Sequence, residues 1–148
     1  MITARPTELS MIEATYKDDP RMRVRFNWPV FAGTGADSSS VVYGEIEPGD
    51  HLGIHRDSSE EVLLILEGTA EATVGDETGR LSAGQLAVVA ALVPHGLVNV
   101  GDRKLRYLGF FPTATSVAIF DQPLLPVNER VVGSPNWMQA RGLLAPHH

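Results

Sequence analysis

An all-β sandwich or barrel is the fold class this sequence predicts, and three observations point to it. Short apolar runs recur at roughly 8–12-residue intervals, the spacing of strands in a double or closed sheet. The 14 glycines and 10 prolines fall largely between them, where such residues end strands and build turns. The middle of the chain shows no apolar pattern at a helical period.

The elements follow in order. Residues 8–16 read as a short turn of helix, and Met22 to Trp28 as a β-rich segment. Val41 to Glu47 reads as a strand leading into the turn Pro48-Gly49-Asp50, and a strand resumes over 51–56. Val62 to Leu66 is an unbroken apolar run closed by Glu67-Gly68, which predicts a strand buried on both faces. Ala70, Ala72 and Val74 alternate with Glu71 and Thr73, the period of a half-exposed strand. Gly75 to Gly79 reads as a hairpin loop, and Leu86 to Ala91 as another buried strand. His95 to Val100, Leu105 to Phe111 and Ser116 to Phe120 complete the clear strands. Beyond about residue 122, Pro123, Pro126, Gly133, Pro135 and Gly142 predict an irregular extended tail wrapping the barrel, with a helical turn or two within 136–144. Residues 1–148 fit one domain, with a barrel core at about 22–120 and the tail at about 122–148.

Composition narrows the chemistry. With no cysteine, disulfides, thiolate zinc sites, iron–sulfur clusters and cysteine nucleophiles are excluded, so any metal must be held by His and carboxylates. The net charge of −6 opposes binding to a nucleic-acid backbone, which requires Lys/Arg surfaces. No apolar run reaches the roughly 18 residues of a membrane span. Met1 to Glu8 lacks the apolar core of a signal peptide. The expectation is a cytoplasmic protein without nucleic-acid or membrane partners. No Gly-rich phosphate loop and no nucleophile elbow is present.

The informative residues are His55, Asp57, Glu61 and His95. They lie in Gly49-x5-His55-x-Asp57-x3-Glu61-x6-Gly68 and Gly84-x10-His95-x3-Asn99. Residues two apart on a strand share a face, so His51, Gly53, His55 and Asp57 are expected to point one way. Glu61 follows a short Ser58-Ser59 turn, and pairing of the two strands would return it beside His55. Asp57 is either a ligand, a base or a turn former, and His51 is a pocket-rim candidate. Leu63, Ile65 and Leu97, with the aromatics Phe26, Trp28, Tyr43, Tyr107, Phe110 and Phe111, are candidates for apolar walls around a small organic molecule.

This pattern resembles the cupin superfamily, whose first motif is G-x5-H-x-H-x3-4-E-x6-G. Gly49, His55, Glu61 and Gly68 match it in residue and spacing. Gly84, His95 and Asn99 match the second motif, G-x5-P-x-G-x2-H-x3-N. Asp57 stands where the family has its second His, and Ala90 and Leu92 replace the second motif's Pro and Gly. The resemblance implies a double-stranded β-helix, or jelly-roll barrel, with irregular N- and C-terminal extensions. It also implies one divalent ion on His55, Glu61 and His95, joined or not by Asp57. Fe, Mn and Zn suit such hard ligands better than Cu(I). A homodimer is implied as well, in which Met22 to Trp28 either exchanges between barrels or closes its own sheet.

Two His and one carboxylate with open positions form the facial triad of non-heme Fe(II) oxygenases. His55-x-Asp57 with a distal His95 is similar to the 2-oxoglutarate oxygenase pattern too, in which Arg106 occupies the place of the co-substrate anchor. The favoured reading is a dioxygenase-type oxidoreductase acting on a small molecule, with Glu61 or Asp57 moving a proton. The alternatives are a redox-neutral isomerase, cyclase or lyase, and a non-enzymatic ligand-binding module.

Overall fold

The computed structural model describes residues 1–144. The last four positions of the expected tail, including His147 and His148, lie outside the described residues. The strands in chain order are β1 (Ile12–Thr15), β2 (Arg23–Val30), β3 (Ser40–Ile46), β4 (His51–Asp57), β5 (Glu61–Glu67) and β6 (Thr69–Val74). They continue with β7 (Glu77–Ser82), β8 (Leu86–Val89), β9 (His95–Asn99), β10 (Leu105–Phe111), β11 (Val117–Leu124) and β12 (Glu129–Gly133), and the helix α1 (Pro135–Ala140) follows. They form two antiparallel six-stranded sheets, in the orders β1-β2-β3-β10-β5-β8 and β12-β11-β4-β9-β6-β7. This is the expected all-β jelly-roll barrel. No helix among the described residues is long and apolar enough to cross a membrane.

The inward faces of the sheets meet in the core, where Met22, Ile46, Ile65, Ala70 and Leu105 are fully buried. Each of the larger chains contributes about 1.5–3 kcal/mol by leaving water. Asn99 stabilises the core by a different route. Its buried amide donates to the carbonyls of Ile46 and Arg103 and accepts from the Gly101 N–H, tying the end of β3 to the turn between β9 and β10. Leu92 takes a left-handed backbone, φ 64°, at the place where the cupin resemblance would put glycine. That conformation costs an L-residue about 1–2 kcal/mol. The Leu92 N–H nevertheless reaches the carbonyl of Asp57 at 2.8 Å, so the strained loop braces the site.

Several expectations need correction. Residues 8–16 are not helical: a 3-10 turn occupies Pro6–Glu8, and Ile12–Thr15 is a strand paired with β2. The hairpin turn is only Gly75-Asp76, because Val74 already pairs with Glu77, as two-residue loops allow. The strand starting at Leu86 ends at Val89 and is buried on its inner face alone, where Val89 is 1% exposed. It is the edge of its sheet, and Leu86 and Val88 are 62% and 64% exposed. The outer face of Val62 to Leu66 is half-buried.

The tail is more regular than its glycines and prolines suggest. β12 pairs with β11, and α1 starts at Pro135, where a missing N–H is harmless. A buried polar cluster pins this unit to the barrel. Ser134 Oγ accepts from Ser116 N–H, Asn136 Nδ2 donates to Thr115 Oγ1, and the Ser40 and Ser116 hydroxyls bond at 2.8 Å. Met22 to Trp28 closes its own sheet, since β2 pairs with β3 of the same chain.

Candidate metal centre

The site is assembled from both sheets. β4 and β9 are neighbours, and His55 lies directly opposite His95 in their register. Each imidazole donates Nδ1–H to a carbonyl two residues earlier, Gly53 O at 2.8 Å and Val93 O at 2.9 Å. That fixes both rings and turns the Nε2 atoms to the other side, the usual way a ligand His is oriented. The ring centroids are 4.2 Å apart. Phe120 on β11, the register partner of His55, stacks on the far side of that ring at 4.6 Å.

Asp57 ends β4. Glu61 begins β5 and arrives from the opposite sheet, not through a β4–β5 pairing: β5 pairs with β10 and β8. Glu61 is buried, while its neighbour Glu60 is exposed. Glu61 Oε1 accepts from His95 Nε2 at 3.1 Å. Asp57 Oδ2 lies 3.0 Å from the same nitrogen. One N–H cannot serve two carboxylates, and Asp57 Oδ2 is buried without a hydrogen-bond partner.

The electrostatics follow from this crowding. Burial, with the charge of His95 beside it, pushes His55 down to about 4, so its imidazole is neutral. Burial acts to lower His95 too, but Asp57 and Glu61 outweigh it and push that ring up to about 10. Burial raises the Glu61 carboxyl, with the hydrogen bond from His95 opposing. The two carboxylates thus create a place for positive charge.

A divalent ion fits that place. One ligand atom from each of His55, Asp57 and His95 lies within 4.8 Å of the others. Donors held about 2.0–2.2 Å from one ion are themselves about 3–4.4 Å apart, so small rotations suffice. The buried, unpartnered Asp57 oxygen and the two imidazoles with committed Nδ1 atoms are a donor set suited to such an ion. Glu61 lies beside this group, with Oε1 3.1 Å from His95 Nε2, but is not one of the three converging donors.

Room for Glu61 is made by an absent side chain. Its Oε2 occupies the space that a Cβ at Gly109 would fill. Gly109→Ala is therefore expected to displace the carboxylate and weaken metal binding by about 10-fold or more, the scale of a disturbed supporting shell. Overpacking would also cost about 1–3 kcal/mol. Zinc titration against a competing dye, with thermal unfolding alongside, checks this; unchanged affinity would remove Glu61 from the ion's surroundings. Gly44, similarly, lets the Tyr107 ring lie flat on β3. Burial first, and then Glu61 and Asp57, raise the Tyr107 phenol, so it keeps its proton.

The cluster opens into a cavity of about 140 Å³. Phe26, Trp28, Leu63, Leu97, Tyr107 and Phe111 line it, as expected. Tyr43 and Phe110 do not: both lie on the outer side of their sheet, where Tyr43 bonds Glu45 and Phe110 is 38% exposed. Ile65 is core. His51 is off the cavity as well. A bulge between Leu52 and His55 adds one residue to β4 and reverses its alternation, so Leu52 faces the cavity while His51 pairs with Asp19 at 3.0 Å. Arg106 does not anchor a co-substrate either, because it donates to Tyr43 and Glu67 on the outer face. Sequence reasoning passed over Phe120 and the tail residues of the far wall, Leu124, Val127, Val132 and Met138. Their apolar character was visible, but their position depends on β11 lying against β4.

Residues 42–111 match the family model described as the cupin domain. Those residues form a cupin domain. No curated protein sequence matches it. Among solved structures, this cupin is similar to the polyketide cyclase RemF from Streptomyces resistomycificus, with TM-score 0.62, 21% identity, and coverage of 76% of this chain and 79% of that one. It is also similar to the oxalate decarboxylase of Lactobacillus farciminis solved with formate, with TM-score 0.61, 20% identity, and coverage of 90% of this chain and 36% of that one. A structure of the Bacillus subtilis oxalate decarboxylase, a protein with Mn(II) centres, gives TM-score 0.63, 18% identity, and coverage of 90% and 35%. The cupin thus spans about a third of each decarboxylase. At these identities the likeness is one of fold.

Proposed function

We propose that this cupin is a metal-dependent enzyme acting on a small, largely apolar molecule, with His55, Asp57 and His95 as ligands and Glu61 as a fourth ligand or proton carrier. The observation that carries this reading is the convergence of the three donors on one buried point, with Asp57 Oδ2 lacking any hydrogen-bond partner. A bound divalent ion would supply Lewis acidity and, as Fe or Mn, redox chemistry. His55 and His95 present Nε2, while Gly53 and Val93 hold their tautomers. Glu61, seated over Gly109, accepts or returns a proton at Oε1. Tyr107, protonated in the cavity wall, donates to a ligand oxygen. The apolar walls exclude water.

Two His and one carboxylate favour a dioxygenase-type oxidoreductase. A redox-neutral cyclase, isomerase or lyase is the second reading, favoured by the Glu61 and Tyr107 proton carriers and by the likeness to a polyketide cyclase. Metal analysis of protein purified without a nickel column separates the two. About one equivalent of Fe or Mn with substrate-dependent O₂ uptake is the expected result for the first reading. Zinc without O₂ uptake turns the assignment to the second. Protein that takes up none of the three ions, even when they are supplied, would sink both.

We further propose that two copies associate through the outer face of the first sheet. Supporting this are the exposed Leu86, Val88 and Phe110, with the half-buried Val62 and Leu64 between them on the same face; contiguous apolar patches of this kind mark contact surfaces. Light scattering is expected to give the mass of a dimer for the native chain and of a monomer for a Leu86→Lys, Val88→Lys variant. A native monomer at tens of micromolar would overturn it.

A further inference from the structure

The cavity wall carries a chemical signature beyond the ion-holding cluster. No Lys, Arg, Asn or Gln lines it among the described residues. The charged groups in it are His55, Asp57, Glu61 and His95 at one end, and Glu13, exposed, at the rim. The remaining polar groups are the Tyr107 phenol and Ser116, whose hydroxyl is engaged by Ser40. The nearby arginines are committed elsewhere. Arg106 binds Tyr43 and Glu67, and Arg130 donates to the Phe120 carbonyl. Phe26, Trp28, Leu52, Leu97, Phe111 and Val127 form an apolar wall.

Charge balance then limits what can enter. A divalent ion on neutral imidazoles is cancelled by the Asp57 and Glu61 carboxylates, leaving the loaded centre formally neutral. An anionic ligand would add uncompensated charge among apolar walls, which is strongly unfavourable. A dianion would add twice as much. Size limits it further. The cavity, about 140 Å³, matches the roughly 150 Å³ apolar cavity that accepts a single benzene ring.

We propose that the ligand is an uncharged molecule built on one six-membered ring or its apolar equivalent, carrying a hydroxyl or carbonyl oxygen that meets the His55–His95 end. Carboxylates, dicarboxylates such as oxalate, and sugar phosphates are rejected. The proposal deepens the metal-enzyme reading and rests on it for the polar end of the ligand. The ring-binding wall is independent of the ion.

Trp28 supplies the readout. The chain has 2 tryptophans, and Trp137 lies on α1, stacked under Arg141, so Trp137→Phe leaves Trp28 as the sole reporter. Cyclohexylmethanol, cyclohexanecarboxylate and oxalate are titrated into the zinc-loaded and the chelator-treated protein, with calorimetry as a second measurement. The alcohol is expected to shift Trp28 emission saturably and to bind at least 10-fold more tightly than the isosteric carboxylate, with no response to oxalate. Leu52→Lys, folded by circular dichroism, is expected to reverse that preference; if it does not fold, the native panel still decides. Equal or tighter binding of either anion overturns the proposal, as does the absence of any saturable response to the alcohol. Alcohol binding without zinc uptake would sink the metal-enzyme reading while leaving the ring-binding wall standing. Zinc uptake with a preference for carboxylate would do the opposite.

Discussion

Asp57→Asn is expected to lower metal affinity by more than about 100-fold while destabilising the metal-free protein only modestly, because Glu61 still pairs with His95. The substitution preserves shape and removes the charge. Supporting residues around a metal typically change affinity by about 10–100-fold, and Asp57 contributes a donor atom itself. In the metal-free protein its buried Oδ2 faces the charged His95 ring at 3.0 Å, and Glu61 holds the same ring at 3.1 Å, so removing the Asp57 charge takes away one of two contacts. Competition titration with zinc and urea unfolding of the chelated protein measure the two halves. An affinity loss of only a few-fold would leave Asp57 outside the ligand set, and a large stability loss would make it structural.

Asn99→Ala is expected to act in the reverse sense. Its amide satisfies the Ile46 and Arg103 carbonyls and the Gly101 N–H in a site that is 1% exposed. Each buried group left unpaired costs about 1–3 kcal/mol. A loss of about 3–5 kcal/mol is expected, a large part of the roughly 5–15 kcal/mol that holds a domain together. Urea midpoints at unchanged slope measure it. Variant protein that still folds in native buffer is expected to keep its zinc affinity, because Asn99 touches none of the site residues. An unfolding loss below about 1 kcal/mol would mean that water replaces the amide at all three groups.

The clustering of His55, Asp57, Glu61 and His95 was legible because each signal is local: a two-residue strand step, a short turn, and a second motif of known spacing. The route by which they meet was not. Glu61 comes from the other sheet, and which strands pair is decided by contacts far apart in sequence. His51 was misplaced by a single extra residue in β4, since one bulge reverses every face before it. Arg106 fitted a spacing, but its side chain points away from the cavity, opposite to its neighbour Tyr107. The barrel class was readable from turn chemistry, whereas β12 was hidden because its partner, β11, lies across a loop containing Pro126.

The tail that braces the far wall has a consequence for how this protein can change. Every atom placed to hold an ion sits on β4, β5 or β9, whereas Leu124, Val127, Val132 and Met138 reach the same cavity from the last quarter of the chain. Reactivity and fit are thus written in separate stretches of sequence. A lineage could remodel the second repeatedly, trading one guest for another, and inherit the first untouched.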